Sequence, residues 1–205
     1  MTPRELEEYR SLRATIHERG TTRVWTFVAG LSAWALLVVA TAAVNASPAA
    51  ALLPLLVLAA VFEAVFALHT GVERIGRYLQ VFYEDSFAER RWEHTIMAFG
   101  RTFPGGGSDP LFASFFWMAT AANLVPAILA APRIEEWVLT GAAHALFLAR
   151  VTVARGQSAR QRPTDLERFE RLKRDLAVDH DEVNTGANTG ATELTERAEP
   201  VRPGS

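Results

Sequence analysis

The chain has 205 residues, 49% hydrophobic and 21% charged, with a formal net charge of -2 and no cysteine. The last fact excludes disulfide frameworks, Cys-based zinc sites, iron–sulfur clusters and thiol nucleophiles. A mean hydropathy of +0.07 suits a water-soluble protein only as an average, because the apolar residues are gathered into blocks with the charges between them and at both ends. Lys173 is the one lysine among 21 basic residues, an arginine-dominated usage associated with GC-rich coding and a prokaryotic source.

Residues 1–23 predict a cytoplasmic amphipathic helix. Thr2-Pro3-Arg4-Glu5 has the form of a capping box with proline at the first helical position, Leu6, Tyr9, Leu12 and Ile16 share one side, and Gly20 is the expected stop. The uncharged run 24–44 predicts a first membrane span rather than a secretory signal, since it is too long for a signal core and follows a segment holding four glutamates. Within it Ala29 and Ala33 have the small-xxx-small spacing that lets a neighbouring helix approach.

After a short turn, residues 52–69 predict a second span, interrupted once by Glu63, and the same helix is expected to continue into a charged cytoplasmic segment, 70–110. Pro104-Gly105-Gly106-Gly107-Ser108 follows no strand and precedes no Lys-Ser or Lys-Thr, so it reads as a joint rather than a phosphate loop. Residues 111–131 and 137–154 predict a third and a fourth span, and the few residues between them demand an antiparallel hairpin. Thr164-Asp165-Leu166-Glu167 repeats the capping-box form ahead of Leu166, Phe169, Leu172 and Leu176, which predicts a second cytoplasmic amphipathic helix over 155–178. The two amphipathic helices are expected to pack on each other or on the membrane surface, and the polar segment 179–205 is expected to be disordered.

The fold class expected is thus all-α: a polytopic membrane protein with four transmembrane helices in a bundle, the second extended into the cytoplasm. Arginines crowd the N-terminal segment (Arg4, Arg10, Arg13, Arg19, Arg23), the central loop (Arg74, Arg77, Arg90, Arg91, Arg101) and the C-terminal segment (Arg155, Arg160, Arg162), while the short turns hold only Arg133. By the positive-inside rule both termini and the central loop are expected in the cytoplasm, and the membrane is expected to be the cell's inner membrane.

Polar residues inside spans are costly and each needs a partner or a purpose. Counted at about 1.5 Å per residue from the outer end, Glu63 lies about 16 Å and Arg150 about 20 Å deep, Asn123 about 12 Å and His144 about 10 Å. Two buried polar pairs follow, Glu63 with Arg150 and Asn123 with His144, read either as interhelical glue or as a proton or ion path. A cytoplasmic interfacial cluster, His69, Glu73, Arg74, Arg77, Tyr78 and Glu84, is expected where the second helix leaves the membrane, as a salt-bridge network in which Arg74, Arg77, Tyr78 and Tyr83 meet lipid headgroups. His69 and Glu73 share a face, and a metal site completed by Glu93 or His94 is the lesser alternative; the second histidine of H-E-x-x-H is missing. No hydrolase or nucleotide motif is present, and the bases are interleaved with acids, which argues against nucleic acid as a partner. The sequence therefore points to a non-enzymatic scaffold, accessory subunit or effector with no cofactor and no metal. Its partners are the lipid bilayer and either further copies of itself or another membrane protein. A small channel or transporter and a lipid-acting membrane enzyme are the alternatives.

Overall fold

The computed structural model describes residues 1–44, 47–84, 109–129 and 133–196, the last eighteen by their backbone only, together with residues 92, 95, 96, 99 and 102. Among the described residues the chain is helical and contains no strand. Helix α1 covers Pro3–Ala43, α2 Leu52–Leu79, α3 Ala113–Leu129 and α4 Ile134–Glu196. A 3-10 turn, Pro48–Ala51, leads into α2, and a π-helical turn, Gln80–Glu84, ends it. Among the described residues three helices are long and apolar enough to cross a membrane, in Pro3–Ala43, Ala49–Glu84 and Ile134–Val178, with a shorter apolar one, Ala113–Leu129.

Helix α1 begins as its sequence dictates. The Glu5 amide donates to Thr2 Oγ1 at 3.3 Å and the Thr2 amide to Glu5 Oε2 at 2.7 Å, so two of the otherwise unpartnered first-turn donors are satisfied. It does not end at Gly20, however, and the separate helix expected over 1–23 is the first half of one 41-residue rod. A mid-helix glycine costs about 1 kcal/mol relative to alanine, which the packing of both flanks on α2 offsets. A second correction of the same kind falls in α4. Thr164 bonds back to the Arg160 carbonyl at 3.2 Å instead of capping a new helix, and the segment expected to fold separately over 155–178 continues the fourth apolar helix through Pro163. The backbone expected to be disordered from 179 onward is helical as far as Glu196.

Contacts define the topology. Arg13 meets Glu84, Arg23 meets His69 and Gly30 meets Val61, so α1 and α2 are antiparallel. Glu63 meets Arg150, His69 meets Ser158 and Glu73 meets Arg162, a nearly constant offset that makes α2 and α4 parallel. Helix α3 runs alongside α1, with Phe112 stacked on Phe27 at 4.2 Å and Asn123 beside Trp34. The start of α1 and the C-terminal half of α4 consequently lie at the same end of the bundle. There α2 stands between them: Tyr9 packs on Tyr83, whereas Phe169 packs on Tyr78 and Phe82. The two amphipathic segments thus use α2 as their apolar partner rather than one another.

The core sits where α2, α3 and α4 converge. Phe62, Phe116 and Phe147 are mutually edge-on at 5.1–6.4 Å, an arrangement that brings positive ring edges onto negative faces. Leu58, Val151 and Ala154 close the layer without exposed surface. Helix α1 has no buried residue and lies against this core from outside. Large apolar side chains such as Trp25, Leu36, Leu56, Leu129 and Leu146 point away from the core along all four helices, the outward-facing belt that lipid, not water, would cover.

Candidate functional site

Three polar levels are spaced along α2, and each joins helices. The first is centred on Asn123. Its Nδ2 donates to the Ala51 carbonyl at 2.8 Å and faces His144 Nε2 at 2.9 Å, while its Oδ1 accepts from Trp34 Nε1 at 3.3 Å. Because Ala51 O only accepts and indole only donates, the amide has one consistent orientation. His144 Nδ1 lies 2.7 Å from the Thr140 carbonyl and must carry the proton, leaving Nε2 as acceptor for Asn123. All the hydrogen-bonding atoms of the imidazole and amide are thereby used within the bundle, and both side chains are buried. The node ties α1, the turn before α2, α3 and α4 together. Sequence depth brings Asn123 near His144 but carries no sign of Trp34 or of a backbone carbonyl as the other partners.

At the second level Arg150 Nη2 contacts Glu63 Oε2 at 2.8 Å, and the guanidinium also lies 5.0 Å from the Phe66 ring centroid. The structure brings the two charges together but does not bury them. Arg150 is 36% and Glu63 49% exposed, on the outer surface of the α2/α4 pair rather than in the core. The expectation of a buried pair is corrected on this point: Phe62, Phe116 and Phe147 occupy the interior at that level and leave no room for a charge. On insertion scales a charge at mid-bilayer costs about 2.5–3.5 kcal/mol, so an outward-facing pair is an expensive feature of a lipid-covered surface.

The third level holds the cluster expected as an interfacial salt-bridge network; of the residues expected to meet lipid headgroups, Arg77 and Tyr83 are buried instead. His69, Arg77 and Glu84 are buried between helices, with only Arg74 largely exposed. His69 Nδ1 is 3.2 Å from Arg23 Nη1 and its Nε2 3.0 Å from Ser158 Oγ. An arginine only donates, so Nδ1 is the acceptor and Nε2–H points at the serine. A histidine held in this tautomer has no lone pair facing Ser158 with which to take its proton, and none left for a metal ion. Neither Arg23 nor Ser158 stands out in the sequence, where each reads as an ordinary polar residue at a span boundary.

Below this pair, Glu73 is gripped by Arg162, whose Nη2 lies 3.2 Å from Oε1 and whose Nε lies 3.0 Å from Oε2, and by Arg77 at 3.5 Å. The Nε contact is close as a charge pair but is not aligned as a hydrogen bond. Arg77 Nη1 also donates to Gln80 Oε1 at 2.8 Å, and Arg74 approaches Asp165 at 3.9 Å. Tyr78 donates to Glu8 at 3.1 Å, Arg13 pairs with Glu84 at 3.1 Å, and Lys173 Nζ donates to the Val81 carbonyl at 2.6 Å. The π-helical turn thus receives contacts from both α1 and α4. A recess beside Thr70, Glu73, Ser158 and Arg162 measures about 10 Å³, room for about one water molecule and not for a substrate.

Among the described residues no group of three or more His, Asp or Glu side chains is arranged to hold a metal ion. Glu93 and His94, the proposed completion of a site with His69, lie outside the described residues, as do residues 104–108 of the glycine run. The chain matches no known protein-family model, and neither a curated protein nor a solved structure was found to be similar to it.

Proposed function

We propose that this chain is a non-enzymatic membrane scaffold or accessory subunit that works through helix contacts in the inner membrane. On this reading 24–44, 52–69, 111–131 and 137–154 all cross as a transmembrane four-helix bundle. Helix α3, 17 residues and about 25 Å long, accompanies the other three through the same apolar slab. The arginine-rich ends shared by α1, α2 and α4 lie in the cytoplasm, where the positive-inside rule favours them.

The observation that carries the reading is the complete internal use of the Asn123 node. A path for protons or ions needs groups that exchange partners with water or with each other, whereas Asn123 and His144 are saturated by fixed donors and acceptors from four segments. The His69–Ser158 pair supports it further, since the proton on Nε2 opposes the role of general base.

The reading is tested in proteoliposomes holding this chain alone. Proton and small-ion flux should equal that of empty vesicles, and Ser158→Ala and His144→Gln should change thermal stability with no flux or turnover to lose. A wild-type flux abolished by Glu63→Gln in protein that still folds would replace the scaffold by a transporter.

A further inference from the structure

We infer that a second copy of this chain covers the α2/α4 face centred on Glu63 and Arg150, so that two ion pairs join into one ring of four charges. The inference rests on the membrane-scaffold reading above and names the surface through which it acts. Its starting point is a mismatch: the pair sits on a belt of outward-facing apolar residues, yet Glu63 is 49% and Arg150 36% exposed. Glu63 engages through Oε2, and neither its Oε1 nor Arg150 Nε has a second hydrogen-bond partner among the described residues. Lipid tails offer none.

A second copy supplies what is missing because the face is complementary to itself. Helices α2 and α4 run parallel, so a two-fold axis along their common direction places the partner's Arg150 at the depth of Glu63 and the partner's Glu63 at the depth of Arg150. Each carboxylate then lies between two guanidinium groups and each guanidinium between two carboxylates, with net charge zero. One helical turn to either side, Ala60 and Ala67 on α2 are exposed, and small residues there let the partner's α4 come close. Leu146 and Val153 flank Arg150 in the same way and provide the apolar rim.

Because the chain has no cysteine, the face can be tested with the full-length protein in native membranes. Ala67→Cys and Val153→Cys are placed on separate, differently tagged copies and coexpressed. The offset between Glu63 and Arg150 sets these positions within about one residue rise, 1.5 Å, of a common depth. They should form a disulfide between chains under mild oxidation, while Leu36→Cys, 72% exposed on α1, should not crosslink. Independently, a Glu63→Arg copy and an Arg150→Glu copy should copurify several-fold better with each other than either does with itself, since like charges repel in the two homotypic pairs.

A dimer that crosslinks through Leu36→Cys, or shows no charge preference, overturns this face but leaves the scaffold reading intact. Copies that yield no interchain disulfide also overturn it. The scaffold reading fails on a different measurement, the ion flux, so the two failures are distinguishable.

Discussion

Gly30 on α1 and Val61 on α2 are in direct contact, and a Cβ on Gly30 would lie 3.0 Å from the Val61 Cβ and closer still to its methyl groups. The two helices approach through this one missing side chain. Val61 is β-branched and stiff at χ1, so it cannot swing clear. Gly30→Ala should therefore destabilise the protein by about 1–3 kcal/mol, the usual range for overpacking, and Gly30→Ala with Val61→Ala should recover part of the loss. Thermal unfolding in detergent reads both. Gly71→Ala is the contrast: its neighbour is the mobile tip of Arg19, and little change is expected.

Replacing Asn123 by leucine keeps the volume and removes the hub of the first polar level. Trp34 Nε1, His144 Nε2 and the Ala51 carbonyl would then lose a partner together. Each buried orphan costs about 1–3 kcal/mol in water-soluble proteins, and interhelical hydrogen bonds in membranes average nearer 0.6 kcal/mol. For three such groups these limits bracket a total of about 2–9 kcal/mol, with the membrane value favouring the lower end. Asn123→Leu should lower the melting temperature more than Asn123→Gln, and Trp34 fluorescence should shift in the leucine variant.

Glu73→Gln should weaken the clamp between α2 and α4 more than an exposed ion pair would suggest. Arg77 has a side chain only 6% exposed, and the substitution strips it of a carboxylate it cannot exchange for water. Breaking a buried pair costs about 3–5 kcal/mol, less here because Arg162 remains accessible. The check is limited proteolysis after Arg160 and Arg168. Faster cleavage in Glu73→Gln with an unchanged rate near the N-terminus is the expected pattern.

Much of this arrangement is legible in the residue order, and its gaps have one cause. Rise along a helix is a fixed 1.5 Å per residue, so counting inward from the turns brings Asn123 to the level of His144 and Glu63 to that of Arg150. Azimuth around the helix is not fixed by counting. Ala29 and Ala33, the expected close-approach pair, face outward, and Gly30 beside them makes the contact. The same uncertainty hid that Glu63 and Arg150 sit on the surface while His69 and Arg77 turn inward. Helix length misled for a different reason: Gly20 and the Thr164 capping pattern are local stop and start signals, each overridden by packing against α2 along the whole rod.

The central claim is that the polypeptide crosses a bilayer with the common end of α1 and α4 on the cytoplasmic side and the 3-10 turn before α2 on the other. Single cysteines at Ser11, exposed on α1, and at Ser47, exposed before that turn, test it most directly in intact cells. A membrane-impermeant maleimide should label Ser47→Cys from outside and leave Ser11→Cys untouched until the cells are opened. Labelling of Ser11→Cys in intact cells, or recovery of the protein in the soluble fraction without detergent, would contradict the account.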